Sequence, residues 1–147
     1  MKGIFIDPFT RTVKEIVLSS DLSSKEICTI CECKSFLIVY LNGYFQNVFS
    51  SIETILYVDK EGLFKKPQRY FNFKDACIGG KGLLLRENDL GETISTTLTV
   101  EEVKDMVGGR DTGYMSAQNY LDQFVLGLSG QQIAEKYGIP YNQGGRV

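Results

Sequence analysis

Histidine and tryptophan are absent from the 147 residues, and proline occurs only 3 times. Without histidine the chain lacks the commonest general acid–base group and the commonest metal ligand. Ser-His and Cys-His catalysis are excluded, and so are zinc sites that need an imidazole. Chemistry resting on Asp, Glu, Lys or Tyr survives, but the balance moves from enzyme toward binding protein. Aromatic packing falls to 9 Phe and 8 Tyr. A strong charge of either sign is also missing. The net charge is −2, which neither drives the chain to nucleic acid nor makes it a mimic of one. No apolar run approaches the roughly eighteen residues of a membrane helix. The longest, Phe36 to Leu41, has the length of a strand. No basic stretch leads into an apolar one at the N-terminus, so no signal peptide is expected. With 43% apolar residues, this is the composition of a soluble, cytoplasmic domain able to bury a core without disulfides or metal.

What is present reads as short strands and shorter helices. Ile4 and Ile6 share a face of one strand, Val13 to Leu18 form a second, and Asp7-Pro8 opens a type I turn between them. Ser23-x-x-Glu26 is a capping box for a helix over 23–31. KSFLIVYLN reads as a strand buried on both faces and closed by Asn42-Gly43. SIETILYVD reads as a strand ending in the turn Asp59-Lys60-Glu61-Gly62, with Leu63-Phe64 starting its hairpin partner before Pro67 breaks it. RYFNF is a short strand, CIGGKGLLLRE a strand with glycines at its start, and Thr93 to Leu98 extended. Thr99-x-x-Glu102 opens a helix to Val107 with Val100, Val103 and Val107 on its apolar face and Met106 beside it. GGRDTG then reads as a hinge. Ala117, Leu121, Phe124, Val125 and Leu128 recur at helical spacing, predicting a helix over 115–126 and a shorter one, QQIAEKY, after Ser129. The expectation is an α+β fold: residues 1–108 as a mostly antiparallel sheet with one or two packed helices, and residues 109–147 as a C-terminal helical arm and tail.

Five groupings carry the functional reading. Cys28-x-x-Cys31 with Cys33 suggests a metal, but Cys77 is the only other thiol and imidazole is absent, so core packing is expected, with no metal and no cofactor. Gly79-Gly80-Lys81-Gly82 resembles a phosphate cradle, yet it leads into a strand where a P-loop leads into a helix; Lys81 stays a candidate ligand contact. Segment 60–74 concentrates Lys60, Lys65, Lys66, Arg69 and Lys74 against Glu61, with Phe64, Tyr70, Phe71 and Phe73 interleaved. Aromatics can stack on bases while cations neutralise phosphate, which makes Lys65, Lys66, Arg69, Tyr70 and Phe71 the expected contacts to a nucleotide or acidic partner. The other reading of this segment is a hairpin with its aromatics inside and its lysines guarding an edge. GLSGQQIAEKYGIP looks like the opening of a helix-turn-helix, but no recognition helix follows it. The arm's Leu121, Phe124, Val125 and Leu128 form a stripe that must be covered, and two-fold pairing into a homo-oligomer would cover it.

Ile6-Asp7-Pro8 with Arg11-Thr12-Val13, then Val58-Asp59-x-Glu61-Gly62-Leu63, Ile78-x-Gly80-Lys81-Gly82 and Thr99-x-Glu101-Glu102-Val103 occur in that order. The series resembles a small domain of unknown function carried by bacteriophages and mobile elements, some members of which sit near antirestriction genes. It covers about residues 3–108 and none of the arm. The resemblance implies an accessory protein inside the bacterial host cell, and it carries over no catalytic residue. The expected function is non-catalytic binding of a host defence protein or sequestration of a nucleotide signal. The alternatives are a nucleic-acid-associated regulator using 60–74 and the arm, and a small carboxylate-dependent nucleotide hydrolase. For the hydrolase, Asp7, Asp59 and Glu61 are the carboxylates to inspect, although all three lie in turns.

Overall fold

The computed structural model describes residues 1–42, 52–65, 68–73, 76–107, 114–116 and 132. Among the described residues, nine strands and two helices run in the order β1 (Lys2–Asp7), β2 (Thr12–Val17), α1 (Ser24–Cys31), β3 (Phe36–Tyr40), β4 (Glu53–Asp59), β5 (Arg69–Phe73), β6 (Ala76–Gly79), β7 (Gly82–Glu87), β8 (Thr93–Ile94), α2 (Val100–Val107) and β9 (Tyr114–Ser116). The main sheet has the order β2-β1-β7-β4-β3, with β8 pairing to β7, and a second sheet has the order β6-β5-β9. Every described pairing is antiparallel, and with the two helices this fits the α+β class. No helix among the described residues is long and apolar enough to cross a membrane.

Alternation of side chains along the central strands divides the core in two. Ile4, Ile6, Leu56, Val58 and Leu84 face α2 and the second sheet, where Phe71, Phe73, Ile78, Val103 and Val107 meet them. Ile55, Tyr57, Leu83 and Leu85 face α1 and meet Ile27 and Cys31. Both helices start on their boxes. At α2 the box is reciprocal: the Glu102 amide donates to Thr99 Oγ1 and the Thr99 amide to Glu102 Oε1, each at 3.1 Å. At α1 the Glu26 amide donates to Ser23 Oγ, but the Glu26 carboxylate accepts from the Ser19 amide, tying the helix back to the chain leaving β2.

Several expectations are corrected. β3 is an edge strand of the main sheet, not one buried on both faces, and Leu37 and Tyr40 are exposed. Leu63 and Phe64 lie in the turn after β4, whose ladder partners are β3 and β7. The run CIGGKGLLLRE is two strands in two sheets. Gly80, at φ +85°, turns the chain from β6 into β7, a conformation that a side chain would strain. Gly79 and Gly62 touch backbone to backbone, so a Cβ on either would collide with the other's carbonyl. These glycines therefore serve chain crossing, and the phosphate-cradle reading loses its structural basis. Finally, Tyr114–Ser116 pair with β5 as a strand, where a helix starting at 115 was expected. Apart from residue 132, the rest of the arm, including Leu121, Phe124, Val125 and Leu128, lies outside the described residues, as does Lys66.

Candidate functional site

One end of the main sheet collects the polar side chains. The register sets Ile6 opposite Gly82 and Val58 opposite Gly82. One residue further along, Asp7, Lys81 and Asp59 form a row across three strands. Because Ile6 and Val58 face α2, this row points to the other side, beneath the C-terminal end of α1. Lys81 Nζ lies 2.7 Å from Glu32 Oε1 and 4.0 Å from Asp7 Oδ2. It also sits 5.9 Å from the centre of the Phe9 ring. Asp59 is paired with Lys65. That partner raises the Lys65 pKa above its ordinary value, the hydrogen bond that Lys65 donates to Asp59 outweighing the cost of burial.

Both aspartates also close turns. Asp7 Oδ1 accepts the Phe9 amide and Asp59 Oδ1 accepts the Glu61 amide, each at 2.9 Å. These are Asx-turns, each spanning two residues, and they explain why Asp stands at both strand ends. Their carboxylates are thus held by lysines and by main chain, which leaves them poorly placed to activate water.

The helix end above the row is a Schellman motif. Glu32 takes the left-handed conformation at φ 51°, its amide donates to Thr29 O, and the Cys33 amide donates to Cys28 O at 3.0 Å. The sequence offers no glycine at this position. The Glu32–Lys81 ion pair supports a residue that is uncommon there. Beside it opens a cleft of about 710 Å³, lined by Ser24, Lys25, Cys28 and Thr29 of the helix, Glu32, Cys33 and Lys34 of the following turn, and Lys65. It is open to solvent on one side. Among the described residues, the Lys25 and Lys34 ammonium groups have no ion-pair partner.

The thiols divide by environment. Cys31 is buried against the sheet and reaches Tyr57 O; burial pushes its pKa up to about 12. Cys33 is raised by lost hydration and by its hydrogen bond with Cys28. Cys77 stands apart in the second sheet and is raised by burial to about 11. Thiols held protonated are poor metal ligands and poor nucleophiles. Among the described residues no cluster of His, Cys, Asp or Glu is arranged to hold a metal ion.

The expected contacts are thus separated. Lys65 and Lys81 come to the α1 end. Arg69 is exposed on β5, on the other side of the main sheet. Tyr70 and Phe71 are buried, with the Tyr70 hydroxyl donating to Leu63 O and the Phe71 ring against Gly82. Neither presents a face for a base to stack on, so their reading as ligand contacts is corrected to core packing. Ser24, Lys25, Thr29, Glu32 and Lys34 were not singled out from the sequence. The available signal was Cys28 followed five residues later by Cys33 at the foot of a capped helix.

No family model, characterised protein or solved structure matches the chain.

Proposed function

We propose that this chain is a non-catalytic accessory protein of a phage or mobile element that holds an anionic partner, a nucleotide signal foremost, in the cleft at the end of α1. The observation that carries the reading is the cleft itself. Lys25, Lys34 and Lys65 surround it, and the hydroxyl-bearing Ser24 and Thr29 line the same wall. Lysines supply charge to phosphate and hydroxyls supply directed hydrogen bonds. The non-catalytic part rests on the engagement of Asp7, Asp59 and Glu32 with Lys81, Lys65 and turn amides, and on thiols held protonated. The phage or mobile-element setting rests on the resemblance of residues 3–108. The nucleic-acid alternative loses support because Tyr70, Phe71 and Phe73 are buried.

The test is calorimetric titration with a panel of mono- and dinucleotides, using the wild type and the double variant Lys25→Glu/Lys34→Glu. The wild type is expected to bind at least one nucleotide saturably and return it chemically unchanged. The variant should lose that binding with its thermal midpoint intact. A host protein that co-purifies from infected cells through the same two lysines would move the partner from nucleotide to protein. Turnover of the nucleotide, or binding indifferent to both lysines, would refute the reading.

A further inference from the structure

The C-x-x-C spacing directs attention to Cys28 and Cys31, but the helix end pairs the thiols differently. In a Schellman motif the third residue from the helix end and the second residue beyond it are joined by a main-chain hydrogen bond, and their side chains ordinarily make an apolar contact. Here those two positions are Cys28 and Cys33, joined through the Cys33 amide and Cys28 O at 3.0 Å. The Cys28 thiol donates to Lys34 O at 3.7 Å, in the turn that carries Cys33, and both thiols line the open cleft. Cys31 faces the opposite way: it is buried in the core under α1, with its thiol on Tyr57 O.

From this geometry we infer that Cys28 and Cys33 are a reversible dithiol–disulfide site, formed by exchange with a low-molecular-weight disulfide of the glutathione class, and that Cys31 takes no part. The inference does not depend on what the cleft binds. Main-chain bonding across the motif ties residue 33 directly to residue 28, the kind of close approach that a disulfide, with Cα atoms roughly 4.4–6.8 Å apart, requires. The first of the two thiols to lose its proton attacks one sulfur of the small disulfide, whose S–S bond breaks. One small thiol leaves and takes up a proton, and a mixed disulfide remains. The second protein sulfur, its proton given to solvent, attacks the first, and the other small thiol leaves protonated. Two protein thiols are oxidised and one small disulfide is reduced to two thiols. The raised pKa of Cys33 makes exchange slow near neutrality and faster as pH rises. Slow exchange at neutrality separates this site from a dithiol oxidoreductase, whose attacking thiol is acidic. The bond would pin the turn carrying Glu32 and Lys34 to the helix and so fix one wall of the cleft.

The test uses the full-length protein equilibrated in glutathione buffers of graded ratio and quenched in acid. Free thiols are blocked with iodoacetamide. Disulfides are then reduced and labelled with N-ethylmaleimide, and the peptides Glu26–Lys34 and Asp75–Lys81 are sequenced by mass spectrometry. Expected is a species lighter by two hydrogens before labelling, with maleimide on Cys28 and Cys33 and the first label on Cys31 and Cys77. Cys31→Ser should retain the pair. Cys28→Ser and Cys33→Ser should lose it and instead accumulate a glutathione adduct on the remaining partner. Pairing of Cys28 or Cys33 with Cys31, glutathione adducts without an internal bond in the wild type, or no oxidation across the series would each overturn the inference.

Discussion

Phe71, Phe73, Leu84 and Val103 are sealed from water on the α2 face of the main sheet, where a helix and a second sheet close over them. On the α1 face Leu83 and Leu85 are sealed as fully, but among the described residues the cover is a single eight-residue helix whose end carries thiols, and the layer ends in the Asp7–Lys81–Asp59 row. The difference teaches a division of labour: a thick cover on one face supplies packing energy, and a thin cover on the other leaves one end open to solvent.

That contrast is broken or sharpened first by truncation. Phe71→Ala should cost about 3–5 kcal/mol in urea unfolding, by lost burial plus a cavity. Ile27→Ala, the corresponding loss under α1, should cost about 2–3 kcal/mol, because a short helix at the edge of the core can shift to fill part of the space. Equal costs would mean that α1 is as rigidly supported as α2, and the comparison would fail.

The alkaline limb of stability separates the faces next. Burial raises Cys31 from 9.0 to about 12, so the folded state keeps a proton that the unfolded state gives up. Its contribution is complete below about pH 9 and is lost as pH climbs from there toward 12, at up to about 1.4 kcal/mol per pH unit. Cys31→Ala should flatten unfolding free energy measured between pH 9 and 11, and Cys77→Ala should flatten it less, since Cys77 is raised only to about 11. Identical slopes in the wild type and Cys31→Ala would show that this thiol is not held from water.

Smaller again is the ion pair at the sheet end. Asp59→Asn keeps an oxygen for the Glu61 amide and removes only the charge facing Lys65. The Lys65 side chain is 38% exposed and can turn to water, so the loss should be no more than about 1 kcal/mol and should shrink in high salt. Its pH dependence lies above the ordinary lysine value of 10.5, because Asp59 raises Lys65 and the benefit fades only as that amine deprotonates. Asp59→Ala, which also removes the turn acceptor, should cost about 1 kcal/mol more.

Local signals were legible in the chain and tertiary ones were not. The β1–β2 hairpin, both capped helices and the apolar face of α2 follow from turn and capping residues within a few positions of each other. The split of CIGGKGLLLRE was hidden, because glycine at a strand start and glycine at a change of sheet look alike until the partners are known. β3 reads as a central strand because FLIVY is apolar throughout, yet its place at an edge depends on pairings made far along the chain. The site was hidden for the same reason. Asp7, Lys81 and Asp59 are joined only by register between strands distant in sequence. The basic–aromatic segment looked like a surface because its charges and rings are adjacent in the chain. The strand sends Tyr70 and Phe71 inward and leaves Arg69 outside.

The most direct test of the α1 end as the functional site is a titration of isotopically labelled protein followed by amide NMR, with the nucleotide that calorimetry ranks first. The account predicts concentration-dependent shifts concentrated at residues 24–34 and 65, with the α2 helix unmoved. Shifts centred on 69–73 or on α2, with 24–34 silent, would contradict it.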